Sequence, residues 1–526
     1  MKKFFKILLI SIGFFISIIL AVLLVTYLWI SISGKSAEKR SKSMAGIEAD
    51  QLYVDSMTFR DLNKNGKLDI YEDSRRATED RVNDLLSQMK IEEKAGSMFF
   101  PPISMNRDGS VSERASLRDP FSFMAAGTSD MLFRKHINHF NIFIGTGKRE
   151  MAIWYNRLQK LAERTRLGIP VTIGTDPRNQ FSNNPLAAGF AGDFSLWPEP
   201  PGFAATRDSL LTWKFADIAR QEYIAVGLRV ALHPMADLAT EPRWGRINGT
   251  FGEDADLSAK LIFAYVKGFQ GDSIGATSVA CMTKHFSGGG PQKEGIDPHF
   301  PVSKGQVYPG NNFNYHLIPF EAAFKAGTAE IMPYYGIPTD QTTENVGFSF
   351  NKDIITGLLR DKYNFNGIVC TDWGLLTDMK IFGIMVLPAR ARGMENASVK
   401  ERMLKILDAG VDQFGGEMIP GMLVDLVREG KVSEARIDTS VRRLLRMKFE
   451  LGLFDNPFVN VDDAVRIIGN EEFMAAGEEA QRRSIVLLKN GSGISGKILP
   501  LSPGVKIYLK NVNPEIASKY ATIVDK

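Results

Sequence analysis

Three stretches of this chain hold residues able to do nucleophilic and hydrogen-bonding chemistry, and each follows a short strand-like run. The first is Gly-Ile-Val-Cys-Thr-Asp372-Trp373-Gly, where a β-branched run ends on an acid and an indole. A carboxylate carried out of such a run stands where a nucleophile belongs at the mouth of a barrel of parallel strands. The second is Lys284-His285-Phe-Ser-Gly-Gly-Gly-Pro-Gln292, and the third is Glu241-Pro-Arg243-Trp-Gly-Arg246. Lysine, histidine and arginine supply hydrogen bonds suited to hydroxyl groups. The glycines at 288–290 lack the Lys-Ser/Thr order of a phosphate cradle and read as room for a close loop.

A fourth stretch points to a metal instead. Asp61, Asn63, Asn65, the carbonyl of Lys67, Asp69 and Glu72 occupy loop positions 1, 3, 5, 7, 9 and 12, with Gly66 at position 6. That is the oxygen spacing of a calcium loop. A structural Ca²⁺ clip is expected here, the alternative being a solvated acidic turn. No second such loop exists, so a sensor role is not expected, and no cofactor is expected for catalysis.

The elements that must position these residues read as a strand, crossover helix, parallel strand order. Strand-like runs lie at Asn141 to Ile144, Ile169 to Gly174, Leu228 to His233, Ser278 to Thr283, Ala329 to Pro333 and Gly367 to Thr371. Helix-like runs lie at Met151 to Leu167, Leu211 to Val226 and Leu257 to Phe269, with one more from Ala77 to Met98. Gly410 to Gly416 and helices near Val424 to Glu429 and Thr439 to Leu451 would complete the set. The predicted fold class is α/β, a (β/α)8 TIM-like barrel over residues 99–460. It is preceded by an extension at 55–98 and a linker at 34–54, and followed at 461–526 by the start of a second α/β domain.

At the N-terminus, Lys2, Lys3 and Lys6 precede an uncharged run from Ile7 to Ser33, long enough to span a bilayer as a helix. An uncleaved membrane anchor, a removed signal segment and a buried core helix are the three readings. Basic residues flank the run on both sides, so orientation is nearly balanced. A polysaccharide enzyme would face outward, on the periplasmic or extracellular side, and would be secreted if the segment is cleaved. The net charge of +4 has no long basic run beyond Lys35 to Lys42, which argues against nucleic acid as a partner. Both cysteines, Cys281 and Cys370, lie in apolar runs and read as buried thiols.

Across about residues 55 to 490 the chain resembles glycoside hydrolase family 3, the β-glucosidase-like group. The matching pieces are Leu-Leu-Ser-Gln-Met-Lys-Ile-Glu-Glu-Lys-Ala-Gly, the run from Glu241 to Asp254, the Lys284 to Gln292 motif, the run from Phe348 to Gly367, and Cys-Thr-Asp372-Trp373-Gly. The resemblance implies hydrolysis of terminal non-reducing β-glucosides with retention of configuration, which needs a carboxylate nucleophile and an acid across the bond. It implies Asp372 as nucleophile, and Asp176, Arg243, Lys284 and His285 as holders of the sugar hydroxyls. Trp373 would be a flat wall, with Met332 and Tyr335 near the nucleophile. Taken alone, Asp372 could cap a helix, the charged residues could be strand-end salt bridges, and Trp373 and Tyr335 could be structural.

In large members of the family, a C-terminal sandwich domain supplies a glutamate as general acid. The run from Glu478 to Asn490 resembles the start of that domain, and the residues that follow are too few for it. Three readings follow: the chain is the front part of a split or truncated enzyme, the remaining domain is supplied by a second polypeptide, or an acid lies within this chain. Asp297-Pro-His299 offers the internal route, since it resembles the Asp-x-His dyad of the family's single-domain N-acetylglucosaminidases. Glu253 and Asp254 are expected to orient Arg243 or cap the next helix. At Gly249 the wider family often has a glutamate. Alternative activities are β-xylosidase or β-N-acetylglucosaminidase, and a sugar-binding component inactive without its partner.

Overall fold

The computed structural model describes residues 2–114, 122, 126–143, 145–180, 192–303, 305–381, 384–491 and 496–524. Eight parallel segments form a closed ring. They are β1 (Phe99–Phe100, continued at Pro102–Ile103), β2 (His139–Ile142), β3 (Thr172–Thr175), β4 (Leu228–Ala231), β5 (Ala280–Phe286), β6 (Glu330–Pro333), β7 (Ile368–Val369) and β8 (Phe414–Gly415). The register pairs Pro102 with Asn141, His139 with Thr172, Thr175 with Ala231, Val230 with Ala280, Lys284 with Met332 and Glu330 with Ile368. Closure comes from Phe414 beside Phe99 and from the Cys370–Gln413 bridge, where Gln413 N donates to Val369 O at 3.0 Å.

These strands are buried on both faces, as strands of a parallel barrel must be. Their helices lie outside, among them Lys148–Glu163, Ser209–Ala225, Ala255–Gln270 and Glu434–Glu450. Asp254 starts one of them by accepting from the N–H groups of Asp256 and Leu257, so it is a helix cap. The expected strands and helices are present, with ends displaced by up to a few residues; Ile144 lies outside the described residues. Cys281 and Cys370 are free and buried.

Three expectations need correction. The helix expected over 77–98 breaks into Thr78–Gln88 and Ile91–Ser97, because Glu93 accepts from the Lys90 N–H at 2.8 Å and begins a new turn there. The linker expected from residue 34 is helical to Lys42, since the N-terminal helix runs unbroken over Lys2–Lys42 and its last turns rest on the barrel. Glu38 accepts from Arg114, and buried Ser41 lies 3.5 Å from Asp130 Oδ1. The end of that same linker is the first strand of a hairpin, Asp50–Val54 with Met57–Asp61. The apolar part of the N-terminal helix is not buried, which removes the core-helix reading; an anchor and a signal sequence both fit a single helix of this kind.

The Asp61 to Glu72 loop is wound tightly around its own oxygens. Asp61 accepts from the N–H groups of Asn65 (3.0 Å) and Gly66 (2.8 Å), while Glu72 accepts from those of Leu62, Asn63 and Asp69. Gly66 turns the chain at φ +76°, a conformation open to glycine at little cost. Among the described residues no group of three or more His, Cys, Asp or Glu side chains converges as a metal site. Past the barrel, helices Val461–Ile467 and Glu471–Arg483 lead to a small parallel pair, Lys506–Tyr508 with Thr522–Val524.

Candidate active site

Asp372 lies three residues past the end of β7 with little exposed surface. Its Oδ1 accepts from the Tyr335 hydroxyl at 2.7 Å and from the Trp373 N–H at 2.8 Å. Oδ2 is buried and has no hydrogen-bond partner; the nearest ring nitrogen, His285 Nε2, is 3.8 Å away. A turn follows Asp372, not a helix, so the helix-cap reading fails. One oxygen is fixed and the other is unengaged, which is the state an attacking carboxylate needs. Arg390 donates to the Trp373 carbonyl at 2.9 Å and lies over the Tyr335 ring, so both neighbours of Asp372 are held in place.

The end of β5 carries Lys284 and His285. Lys284 Nζ donates to Asp176 Oδ1 at 2.8 Å, and Asn141 reaches the other Asp176 oxygen at 3.4 Å. Asp176 and Lys284 thus form an ion pair at the strand ends, the alternative reading of both residues. His285 sits between Asp237, whose Oδ2 is 2.7 Å from Nδ1, and Arg246, whose Nη1 is 3.3 Å from Nε2. The glycine loop behind them needs its glycines: a Cβ on Gly290 would lie 1.7 Å from the Leu238 carbonyl oxygen. Met332, beside Lys284 in register, is fully buried packing.

Arg243 is not with the others. Its side chain is 65% exposed and folds back on Glu241 through two contacts of 2.8 Å. The second arginine of the motif turns inward: Arg246 meets His285 and the Tyr334 hydroxyl, each at 3.3 Å, and its guanidinium lies over the Tyr334 ring. Both arginines were visible in the sequence. A glutamate two residues before Arg243 offered a local surface partner, and that was the available signal for the exposed one.

Asp297 and His299 stand beside this group. Asp297 Oδ1 accepts from the His299 N–H and lies 2.6 Å from His299 Nδ1, and Oδ2 accepts from Trp244 Nε1 (2.8 Å) and the Tyr334 hydroxyl (2.7 Å). Burial would raise the Asp297 carboxyl, but His299, Arg246 and Tyr334 outweigh it and hold the group far below the usual carboxylate range. Asp297 is therefore an ionised orienter of His299 and not itself a proton donor. The His299 pKa is lowered, by burial first, against the opposing pull of Asp297. Its ring packs edge-on against Tyr335 with centroids 4.5 Å apart, and Arg392 clamps the loop through the Pro298 carbonyl at 3.0 Å.

Asp237, Tyr334 and Asn141 were not foreseen. Asp237 had a detectable signal, an acid in the loop after β4 that parallels Asp176 after β3. Together, the ends of six strands and the loops after them carry the Asp372–Tyr335 pair, the Asp237–His285–Arg246 chain and the Lys284–Asp176 pair at one end of the barrel, an arrangement able to support a nucleophilic displacement.

Residues 125–447 match the model of the glycosyl hydrolase family 3 N-terminal domain. The chain is 51% identical over 459 residues to the probable beta-glucosidase C of Aspergillus flavus, covering 87% of this chain and 71% of that protein. It is 41% identical over 492 residues to the periplasmic beta-glucosidase/beta-xylosidase of Dickeya chrysanthemi, covering 90% and 73%. Among solved structures, it is similar to a Listeria innocua beta-glucosidase in complex with glucose, at TM-score 0.63 and 25% identity over 82% of this chain. The chain spans about half the length of that protein, 54%. With the barrel, the ordered motifs and these likenesses in agreement, the chain belongs to glycosyl hydrolase family 3.

Proposed function

We propose that this chain is a retaining β-glucosidase that removes terminal non-reducing β-D-glucosyl residues from oligosaccharides or β-glucans. Asp372 Oδ2 attacks the anomeric carbon, the leaving oxygen departs with a proton, and water releases the sugar from the glycosyl-enzyme. Asp176, Lys284, Arg246 and His285 hold the sugar hydroxyls, and Trp373 lies beside its face. The observation that carries this reading is the divided state of Asp372, one oxygen anchored by Tyr335 and Trp373 N and the other without a partner. Following the hydrolysis of an aryl β-glucoside by NMR tests it. The first-formed glucose should be the β anomer, and an α product would overturn the double-displacement reading.

For the proton, the internal dyad is favoured by a specific observation: Asp297 is fixed by four hydrogen-bond contacts and aligns His299 against the Tyr335 ring, one residue removed from Asp372. The competing reading is an acid supplied by another polypeptide, which predicts activity only when that partner is added. A terminal β-xyloside or β-N-acetylglucosaminide is the alternative substrate, separable by comparing aryl glycosides of the three sugars. The Lys2–Lys42 helix is proposed to anchor the enzyme in a membrane with its barrel on the extracytoplasmic side. The Asp61 to Glu72 loop is proposed to bind a structural Ca²⁺, because its oxygen-only donor set suits that ion.

A further inference from the structure

His285 presents its two ring nitrogens to partners of opposite character. Asp237, with no exposed side chain, takes three N–H groups: its Oδ2 lies 2.7 Å from His285 Nδ1 and 3.2 Å from the His285 backbone N, and its Oδ1 accepts from the Gly289 N–H. On the opposite edge, Nε2 lies 3.3 Å from Arg246 Nη1 and 3.8 Å from Asp372 Oδ2. A guanidinium can only donate, so the Nε2 lone pair must accept from it. The single proton of a neutral ring then sits on Nδ1, facing Asp237. Burial, with the Arg246 charge adding to it, pushes His285 well below the usual histidine range, in the same direction as this geometry.

We propose that Asp237 is a positioning residue that locks His285 as its Nδ1–H tautomer, so that Nε2 accepts from Arg246 and leaves Asp372 Oδ2 without a hydrogen bond. The inference rests on Asp372 being the nucleophile. In the other tautomer, a proton on Nε2 would point into the gap toward Oδ2, and a small tilt would close a charge-assisted bond that stabilises the resting carboxylate against attack. The Nδ1–H tautomer avoids this. It also reverses the role first assigned to His285: a sugar hydroxyl engages Nε2 only by donating to it, in place of the Arg246 N–H.

Nitrogen-15 NMR of the full chain with ring-labelled histidine reads the tautomer directly, and the chain has six histidines. Loss of one signal in His285→Gln assigns the resonance. The expected result near neutral pH is a protonated Nδ1 and an unprotonated Nε2; an Nε2–H ring or an imidazolium would overturn the proposal. Asp237→Asn is the second arm. An amide cannot accept at both oxygen positions, so it should shift the proton toward Nε2 and lower kcat on an activated aryl β-glucoside, while KM changes little. Misassigning a histidine tautomer in this way lowers kcat by up to about 10⁴-fold in hydrolases that depend on one. A kcat within about twofold of the parent, with the tautomer unchanged, would refute the positioning role. The NMR readout needs no turnover, so it is independent of whether the β-glucosidase reading holds.

Discussion

Arg246 and Arg243 differ in the structure by their surroundings alone, and replacing each with alanine isolates what burial contributes. Arg246 is half-buried, donates toward His285 Nε2 and the Tyr334 hydroxyl, and its charge faces Asp297 and Asp372. Hydrogen bonds from a charged group contribute about 1.5–3 kcal/mol each, and its removal leaves buried acceptors without a donor. Loss of one or two such contacts in the reacting complex amounts to about 10- to 10⁴-fold in kcat/KM, at about 1.4 kcal/mol per tenfold. Arg243 lies on the surface against Glu241, and exposed ion pairs of this kind contribute little. Steady-state kinetics on an aryl β-glucoside should therefore show Arg246→Ala down by at least about tenfold and Arg243→Ala within about twofold of the parent. Thermal melts should confirm that both variants are folded. Equal losses, or a larger loss at Arg243, would refute the argument that the second arginine of the motif serves the site.

Tyr335→Phe removes the hydroxyl that anchors Asp372 Oδ1, and kcat should fall about 10- to 100-fold with the melting curve little changed; an unchanged kcat would mean that Trp373 N alone fixes the carboxylate. His299 must be protonated to donate, and its pKa is lowered from the ordinary value of 6.5. The kcat/KM for an alkyl β-glucoside should therefore fall as pH rises through a value below 6.5, while an aryl β-glucoside with a self-departing leaving group should show no such fall. His299→Ala should lower the alkyl rate by about 10²- to 10⁴-fold and the activated aryl rate far less; equal sensitivity would move the acid elsewhere. Chelation should lower the melting temperature, and calcium at a hundredfold excess over its Kd should restore about 2.7 kcal/mol. Asp61→Ala should abolish that response, and a calcium-insensitive melt of the parent would leave the loop as an acidic turn.

The barrel was legible because its strands are short apolar runs set between amphipathic helices, and that periodicity survives in the sequence. β1 was not, because Phe-Phe-Pro-Pro-Ile reads as a breaker; its prolines are tolerated where the strand divides into two short pairings. Asp372, Lys284, His285 and Asp176 were legible as charged residues at the ends of such runs. Arg246 was not chosen over Arg243 because which arginine turns inward depends on a loop packing Trp244 beneath the site, a tertiary choice with no local pattern. Asp297 was legible as one half of an Asp-x-His dyad, and only its three-dimensional partners Trp244 and Tyr334 add how its second oxygen is held.

Covalent trapping is the most direct test of the account. Incubation with an activated 2-deoxy-2-fluoro-β-glucoside, whose glycosyl-enzyme hydrolyses slowly, should add one fluorosugar mass to the peptide containing Asp372 and stop turnover. The Asp372→Ala variant should take up none. A stable adduct on any other carboxylate, or turnover of β-glucosides retained by Asp372→Ala, would contradict the assignment of that carboxylate as the nucleophile.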